Sequence, residues 1–122
     1  MARSGSGNFD SDAASDYIGD LVERLVQEVE QALSNPNSIE PDEYYGDVLP
    51  CIVEIIAALH QLSGTAAIPP PEVIAGWRSK FLAARERAVG ETWHAGDPRN
   101  NTIRGTFDRL QGLSRIVHED LD

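Results

Sequence analysis

Residues 5–33 read GSGNFDSDAASDYIGDLVERLVQEVEQAL, and the rest of the chain is expected to pack around this segment. A glycine-rich arm runs through aspartate and serine residues into an apolar pattern with steps of three and four. The recurring apolar residues are Ile18, Leu21, Val22, Leu25, Val29, Ala32 and Leu33. This spacing predicts an amphipathic helix. Asp10, Ser11 and Asp12 could each cap this helix, so the sequence does not decide at which residue it begins.

The arm before this helix comprises residues 1–11 and is expected to be extended. Gly5 and Gly7 tolerate positive φ, so the chain here can turn tightly or lie close to another backbone. Phe9 is the first residue able to anchor the arm through apolar contacts.

The second predicted helix is the most apolar one and therefore the expected central helix. Two starting points fit the sequence. Either the helix begins at Pro41 and kinks at Pro50, or Asp47 caps a fresh helix that has Pro50 in its first turn. Ser63 and Gly64 predict its end, because glycine readily adopts the left-handed conformation.

Two more helices follow in the second half. The third begins after the proline run at 69–71 and ends near Gly90. A polar loop over residues 90–101 precedes the fourth, which Asn100 or Asn101 would cap.

No segment alternates with a period of two for long, so strands are not expected. We predict an all-α fold, a compact, roughly four-helix antiparallel bundle with the N-terminal arm. Residues 1–122 form one domain, with connecting loops at 34–40, 63–71 and 90–101.

The formal net charge of the 122-residue chain is −10. Residues 1–60 contain twelve acidic and two basic residues and the remainder eight of each, so the excess lies in the first half. Such a surface repels phosphate backbones and argues against nucleic-acid binding. We expect arginines of the second half to lie opposite these acids within the same chain.

Composition also bounds the cellular location. No apolar run approaches the roughly 20 residues of a membrane span, and the first residues lack the apolar core of a signal peptide. Cys51 is the lone cysteine, so no intrachain disulfide is possible and a reducing cytoplasm is expected. Its place in the most apolar helix predicts a buried, unreactive thiol.

The opening segment resembles a bacterial family known as domain of unknown function 4259. Its glycine, aromatic and acidic motif is matched by Gly5, Gly7, Phe9, Asp12, Ala14, Asp16 and Tyr17. Ser4 replaces the tryptophan of the family and Ser11 its asparagine. Because the family has no activity to carry over, the resemblance implies a fold and no mechanism.

Two groups of residues are candidate sites. Asp12 and Asp16 would share one helix face, and Glu91 and His94 have the spacing of half a di-iron site, so these four could ligate a metal ion. We favour the simpler interpretation that the aspartates stabilise the helix start and pair with an arginine.

The second group lies in the polar loop near residues 90–101. Trp93 is a large aromatic residue in a polar setting, and with Arg99 it could form an interface. A Trp93 that covers one end of the bundle is the alternative.

We therefore expect a non-catalytic protein–protein interaction module that needs no cofactor. Its partner would be another protein or a second copy in a homodimer, and neither nucleic acid nor a membrane. One alternative is a metal-binding protein or metal-dependent hydrolase that uses the four ligands above. A further alternative is an acidic mimic of nucleic acid that occupies a basic groove.

Overall fold

The computed structural model describes residues 5–64, 67–89 and 97–119. They form four α-helices and a short 3₁₀ turn, and they contain no β-strand, so the predicted all-α fold is confirmed. The bounds are α1 Asp12–Leu33, the 3₁₀ turn Pro36–Ile39, α2 Tyr44–Ser63, α3 Pro71–Val89 and α4 Pro98–Glu119.

The start of α1 assigns different roles to the candidate caps. Ser11 is the N-cap, and its Oγ accepts the N–H of Ala14 at 3.1 Å. Asp10 instead points back to the arm, where its Oδ2 accepts the N–H of Gly7 at 2.8 Å. A Cβ at Gly5 or Gly7 would lie 2.7 Å from that oxygen. The described part of the arm is thus a turn, and its glycines serve close approach rather than positive φ.

Both predicted starts of α2 are wrong. Glu43 occupies the N-cap position, whereas Pro41 lies before the helix and Asp47 lies within its first turn. The start is set by close packing, because Gly46 lies against the backbone of Glu40.

Pro50 lies inside α2, and the helix continues through it to Ser63. The end agrees with the prediction, since Gly64 follows with a φ of 64°. α3 begins at Pro71, directly after the other two prolines, as the sequence indicates.

α4 starts earlier than predicted, at Pro98 rather than after Asn100 or Asn101. Asp97 precedes the helix, and its Oδ1 accepts the N–H of Arg99 at 2.8 Å. An aspartate followed by proline is a favourable helix start, because proline needs no hydrogen-bond partner in the first turn.

The helices are arranged as a square in which α2 and α3 lie on one diagonal. α2 packs between α1 and α4, and α3 packs against α4 and more lightly against α1. The Tyr45 hydroxyl, near the start of α2, donates to Glu28 Oε2 of α1 at 2.7 Å, so these helices are antiparallel. Arg99, at the start of α4, lies near Asp47 at the start of α2, and Arg109 further along α4 donates to Gln61 near the end of α2, so α2 and α4 run parallel.

A single apolar core fills the space between the helices. Its largest fully buried side chains are Phe81 of α3 and Phe107 of α4, whose ring centroids are 5.8 Å apart. The buried stripe of α1 agrees with the predicted one, although Leu21 and Leu25 are only half-buried. Burial of this apolar surface is the main stabilising term.

The end of α4 is tied to the segment between α2 and α3. Ser114 Oγ donates to the carbonyl of Pro69, and His118 Nε2 donates to the carbonyl of Ile68 at 2.8 Å. Ile68 is itself 1% exposed. These contacts hold the crossing segment against the end of the bundle.

Candidate functional site

The outer face of α1 carries a row of exposed carboxylates. This acidic strip consists of Asp12, Asp16, Asp20, Glu23 and Glu30. Its first three members are four residues apart, which places them about 6 Å from one another along the axis. Tyr17, with 62% of its surface exposed, is next to Asp16 in the sequence. The strip faces solvent because the opposite side of α1 carries the core residues.

Asp12 and Asp16, two of the four candidate metal ligands, belong to the acidic strip. The other two, Glu91 and His94, lie outside the described residues, as does Trp93. Among residues 5–64, 67–89 and 97–119, no three His, Cys, Asp or Glu side chains could hold a metal ion together. The metal site therefore stays a prediction.

No arginine pairs with Asp12 or Asp16 in the part of the chain that the structure describes. The salt bridge found there joins Arg78 Nε to Asp108 Oδ1 at 3.2 Å, and both residues belong to the second half. The expected pairing fails because α4, which carries four of the arginines, lies diagonally across from α1. Their side chains face other helices or solvent.

Opposite charges from the two halves approach each other at α2 instead. Arg99, the described member of the predicted interface, is exposed and lines a cleft of about 200 Å³ between α2 and α4. The lining residues are Asp47, Pro50, Cys51, Glu54, Arg99, Thr102 and Thr106. The cleft thus combines a guanidinium group with the carboxylates of Asp47 and Glu54.

Cys51 is exposed in this α2–α4 cleft, so the prediction of a buried thiol is wrong. The sequence correctly placed Cys51 in the most apolar helix. It did not show which face of that helix points to the core, because apolar residues such as Ile55 and Leu62 occur on the outer face too.

Beside the cleft, a polar contact joins α3 to the first turn of α4. Arg85 Nε donates to Asn100 Oδ1 at 3.0 Å, and Asn100 is 3% exposed. Desolvation of Arg85, followed by the nearby Arg99, lowers its pKa, while Asp97 and Asp47 act in the opposite direction. From the sequence, Asn100 was expected to cap α4. Its contact with Arg85 of α3 could not be predicted, because no local pattern indicates it.

A larger concave surface lies between the end of α1 and α3. Its volume is about 360 Å³, and it is lined by Leu33, Pro36, Ile39, Ser79, Lys80, Ala83 and Arg87. Leu33 and Ile39 are buried and form an apolar floor, whereas Lys80 and Arg87 are exposed on the rim. We call it the basic-rimmed groove. Sequence reasoning missed it because the 3₁₀ turn that completes it was expected to be a plain linker.

α2, with 20 residues, is long and apolar enough to cross a membrane by length and composition alone. No other helix in the described residues passes this test. The sequence prediction of no such run is therefore too strong. In the bundle α2 packs between α1 and α4, as the core helix of a globular domain does.

No family model, curated protein or solved structure shows a significant match to this chain. The resemblance of the opening motif to the family with domain of unknown function 4259 therefore stays a prediction.

Proposed function

We propose that this chain is a non-catalytic interaction module whose acidic strip binds a basic surface on a partner protein. The main support is that all five carboxylates of the strip are exposed and form no ion pair within the described residues. Their charge is available to a partner. A bacterial, cytoplasmic setting belongs to the same proposal, since it follows from the motif resemblance and the single cysteine.

The energetics of the strip favour a binding role over a stabilising one. Asp12 is favourable near the positive end of the α1 dipole. Carboxylates four residues apart repel each other, which costs about 0.2–0.5 kcal/mol per pair in an isolated helix. Asp16, Asp20 and Glu23 lie beyond the first turn, where the dipole compensates little. The same uncompensated field accelerates association with a basic partner.

The chemistry of the α2–α4 cleft supports a non-catalytic role. Among the described residues that line the cleft, no histidine accompanies the exposed Cys51, and a cysteine nucleophile needs such a base. His118 is engaged with the carbonyl of Ile68, and His60 is buried near the end of α2. Neither histidine lines the cleft.

The test is a quantitative capture experiment with two triple variants. Asp16→Asn, Asp20→Asn and Glu23→Gln neutralise the strip, and Glu40→Gln, Glu54→Gln and Glu72→Gln form a control with the same net charge. We expect the wild type and the control to retain a partner that the strip variant loses. Raising the salt concentration from about 0.05 to about 0.3 M should release it, because screening shortens the range of the field.

Several outcomes would contradict this proposal. One is full retention of every partner by the strip variant, and another is a strict monomer with no partner at low salt. Displacement of the captured protein by short duplex DNA would favour the nucleic-acid mimic instead. A higher melting temperature with Mg²⁺, Mn²⁺ or Zn²⁺ would favour the metal-binding alternative, because a ligand held only by the native state stabilises it.

A further inference from the structure

We propose that the basic-rimmed groove binds a small amphiphilic carboxylate, with the acyl chain on the apolar floor and the carboxylate at Lys80 and Arg87. This site is separate from the acidic strip, so its test is independent of the proposed function.

The shape of the groove fits a small molecule. Its volume of about 360 Å³ lies at the lower end of the range of ligand pockets. Taking about 30 Å³ for a water-sized group, it accommodates roughly a dozen non-hydrogen atoms. A fatty acid of about eight carbons has that size.

The floor and the rim favour different ends of such a ligand. Leu33 and Ile39 contribute aliphatic side chains from two different elements, and Ala83 leaves space between them and the rim. A short acyl chain that lies on this floor removes its own apolar surface, and that of the exposed Pro36, from water.

The rim selects for negative charge. Lys80 and Arg87 are exposed and form no ion pair or hydrogen bond within the described residues, in a chain whose net charge is −10. Within residues 5–64, 67–89 and 97–119, no carboxylate lines the groove. Arg87 presents a planar fork that matches a carboxylate, and Lys80 adds a second positive charge. The two residues are about 10 Å apart along α3, within reach of one ligand.

The two cations also lie near the end of α1, which has no basic residue in its last turn. A purely structural role would be to offset the negative end of the α1 dipole. This role predicts a lower melting temperature when the cations are removed, and no ligand.

Calorimetric titration with sodium octanoate tests the proposal. We expect a dissociation constant of about 0.1–1 mM for the wild type, given the small size of the ligand. Lys80→Gln with Arg87→Gln should weaken binding at least about tenfold, because each lost charge contact is worth about a factor of ten. Arg24→Gln with Arg115→Gln, both exposed and outside the groove, is the control with the same net charge and should bind like the wild type.

Two further measurements separate the ends of the ligand. Octanamide, which has the same chain without the charge, should bind the wild type at least about tenfold more weakly. Ala83→Leu should reduce octanoate binding by filling the groove while leaving the cations in place. The strip variant should bind octanoate normally even if it loses its protein partner.

The proposal is overturned if octanoate does not bind the wild type below about 10 mM. Equal binding of octanoate and octanamide, or unchanged affinity after removal of both cations, also overturns it. These comparisons use folded wild-type protein or exposed surface substitutions, so a loss of folding does not obscure the result.

Discussion

At the scale of single residues, the start of α2 requires a glycine at position 46. A Cβ at Gly46 would overlap the carbonyl oxygen of Glu40 and lie 2.8 Å from its carbonyl carbon and 3.1 Å from the Cα of Pro41. All three are backbone atoms, so no side chain can rotate away. Gly105, in α4, has no atom within 4 Å of the corresponding position.

Gly46→Ala should therefore destabilise the fold by about 1–3 kcal/mol, the usual cost of overpacking. Gly105→Ala should stabilise it by about 0.5–1 kcal/mol, because alanine loses less backbone entropy in a helix. Urea unfolding measures both. Similar changes at the two positions would contradict the packing at Gly46.

The hydroxyl of Tyr45 carries a second prediction. Its hydrogen bond to Glu28, followed by desolvation and the charge of that carboxylate, raises the pKa of Tyr45 above 10.0. Because the pKa of Tyr45 is higher in the native state than in the unfolded state, its hydroxyl adds to the free energy of unfolding. This contribution is complete below pH 10 and is lost as the pH rises through the pKa of Tyr45 in the native state.

Tyr45→Phe should remove this part of the decline in stability. The melting temperature of the variant should fall less than that of the wild type between about pH 9 and pH 11, near the ordinary tyrosine pKa. Tyr17→Phe is the control, since Tyr17 lies on α1 and is 62% exposed. Parallel curves for the wild type and Tyr45→Phe would refute the assignment.

At the scale of the elements, α4 depends on a segment far from it in the sequence. Ser114 is fully buried, and with His118 it bonds two carbonyl groups of the segment that crosses from α2 to α3. The two carbonyl groups belong to Pro69 and Ile68, which lie outside the helices, so side chains of α4 supply their hydrogen bonds.

Ser114→Ala should cost about 0.5–1.5 kcal/mol, the net value of one intramolecular hydrogen bond, and more where the acceptor is left without water. Limited proteolysis should then cut the crossing segment faster. Arg115→Ala, an exposed change one residue along, should do neither. Equal cutting rates in the two variants would show that the hydrogen bond does not hold the segment.

Local patterns in the sequence were sufficient to predict the elements. The spacing from Ile18 to Leu33, the stop at Gly64 and the start at Pro71 each depend on near neighbours, and the structure agrees. Two of the failures depend on packing that the apolar spacing does not show. The start of α2 depends on close packing against Glu40, and the exposure of Cys51 depends on which neighbours α2 meets.

Of the candidate surfaces, the acidic strip could be predicted from local spacing and the basic-rimmed groove could not. The acids of α1 could be placed on one face from their spacing alone. The basic-rimmed groove could not, because it requires Ile39 of the 3₁₀ turn to meet α3, a contact with no sequence signal.

At the scale of the whole molecule, charge is unevenly distributed. The first half holds the whole acidic excess, and the arginines of α4 lie away from α1. Like charges on one side of a small domain repel each other and oppose the compact state.

Added salt should therefore stabilise the protein. Raising the ionic strength from about 0.01 to about 0.15 M shortens the Debye length from about 30 to about 8 Å, so the melting temperature should rise. The variant Asp16→Asn, Asp20→Asn, Glu23→Gln should melt higher than the wild type at low salt and show a smaller response. A wild-type melting temperature that falls with salt would mean that attractive pairs dominate.

The diagonal placement of α2 and α3 determines when the apolar faces of α2 become covered during synthesis on the ribosome. α2 gains α1 as a neighbour early, but its other flank is covered only by α4, whose 22 residues are synthesised after those of α3. Until then one apolar face of α2 is exposed to solvent. Incompletely folded chains with such a face bind chaperones and aggregate readily. A chain stopped before Pro98 should accordingly precipitate or bind a chaperone, whereas a chain that includes α4 should do neither.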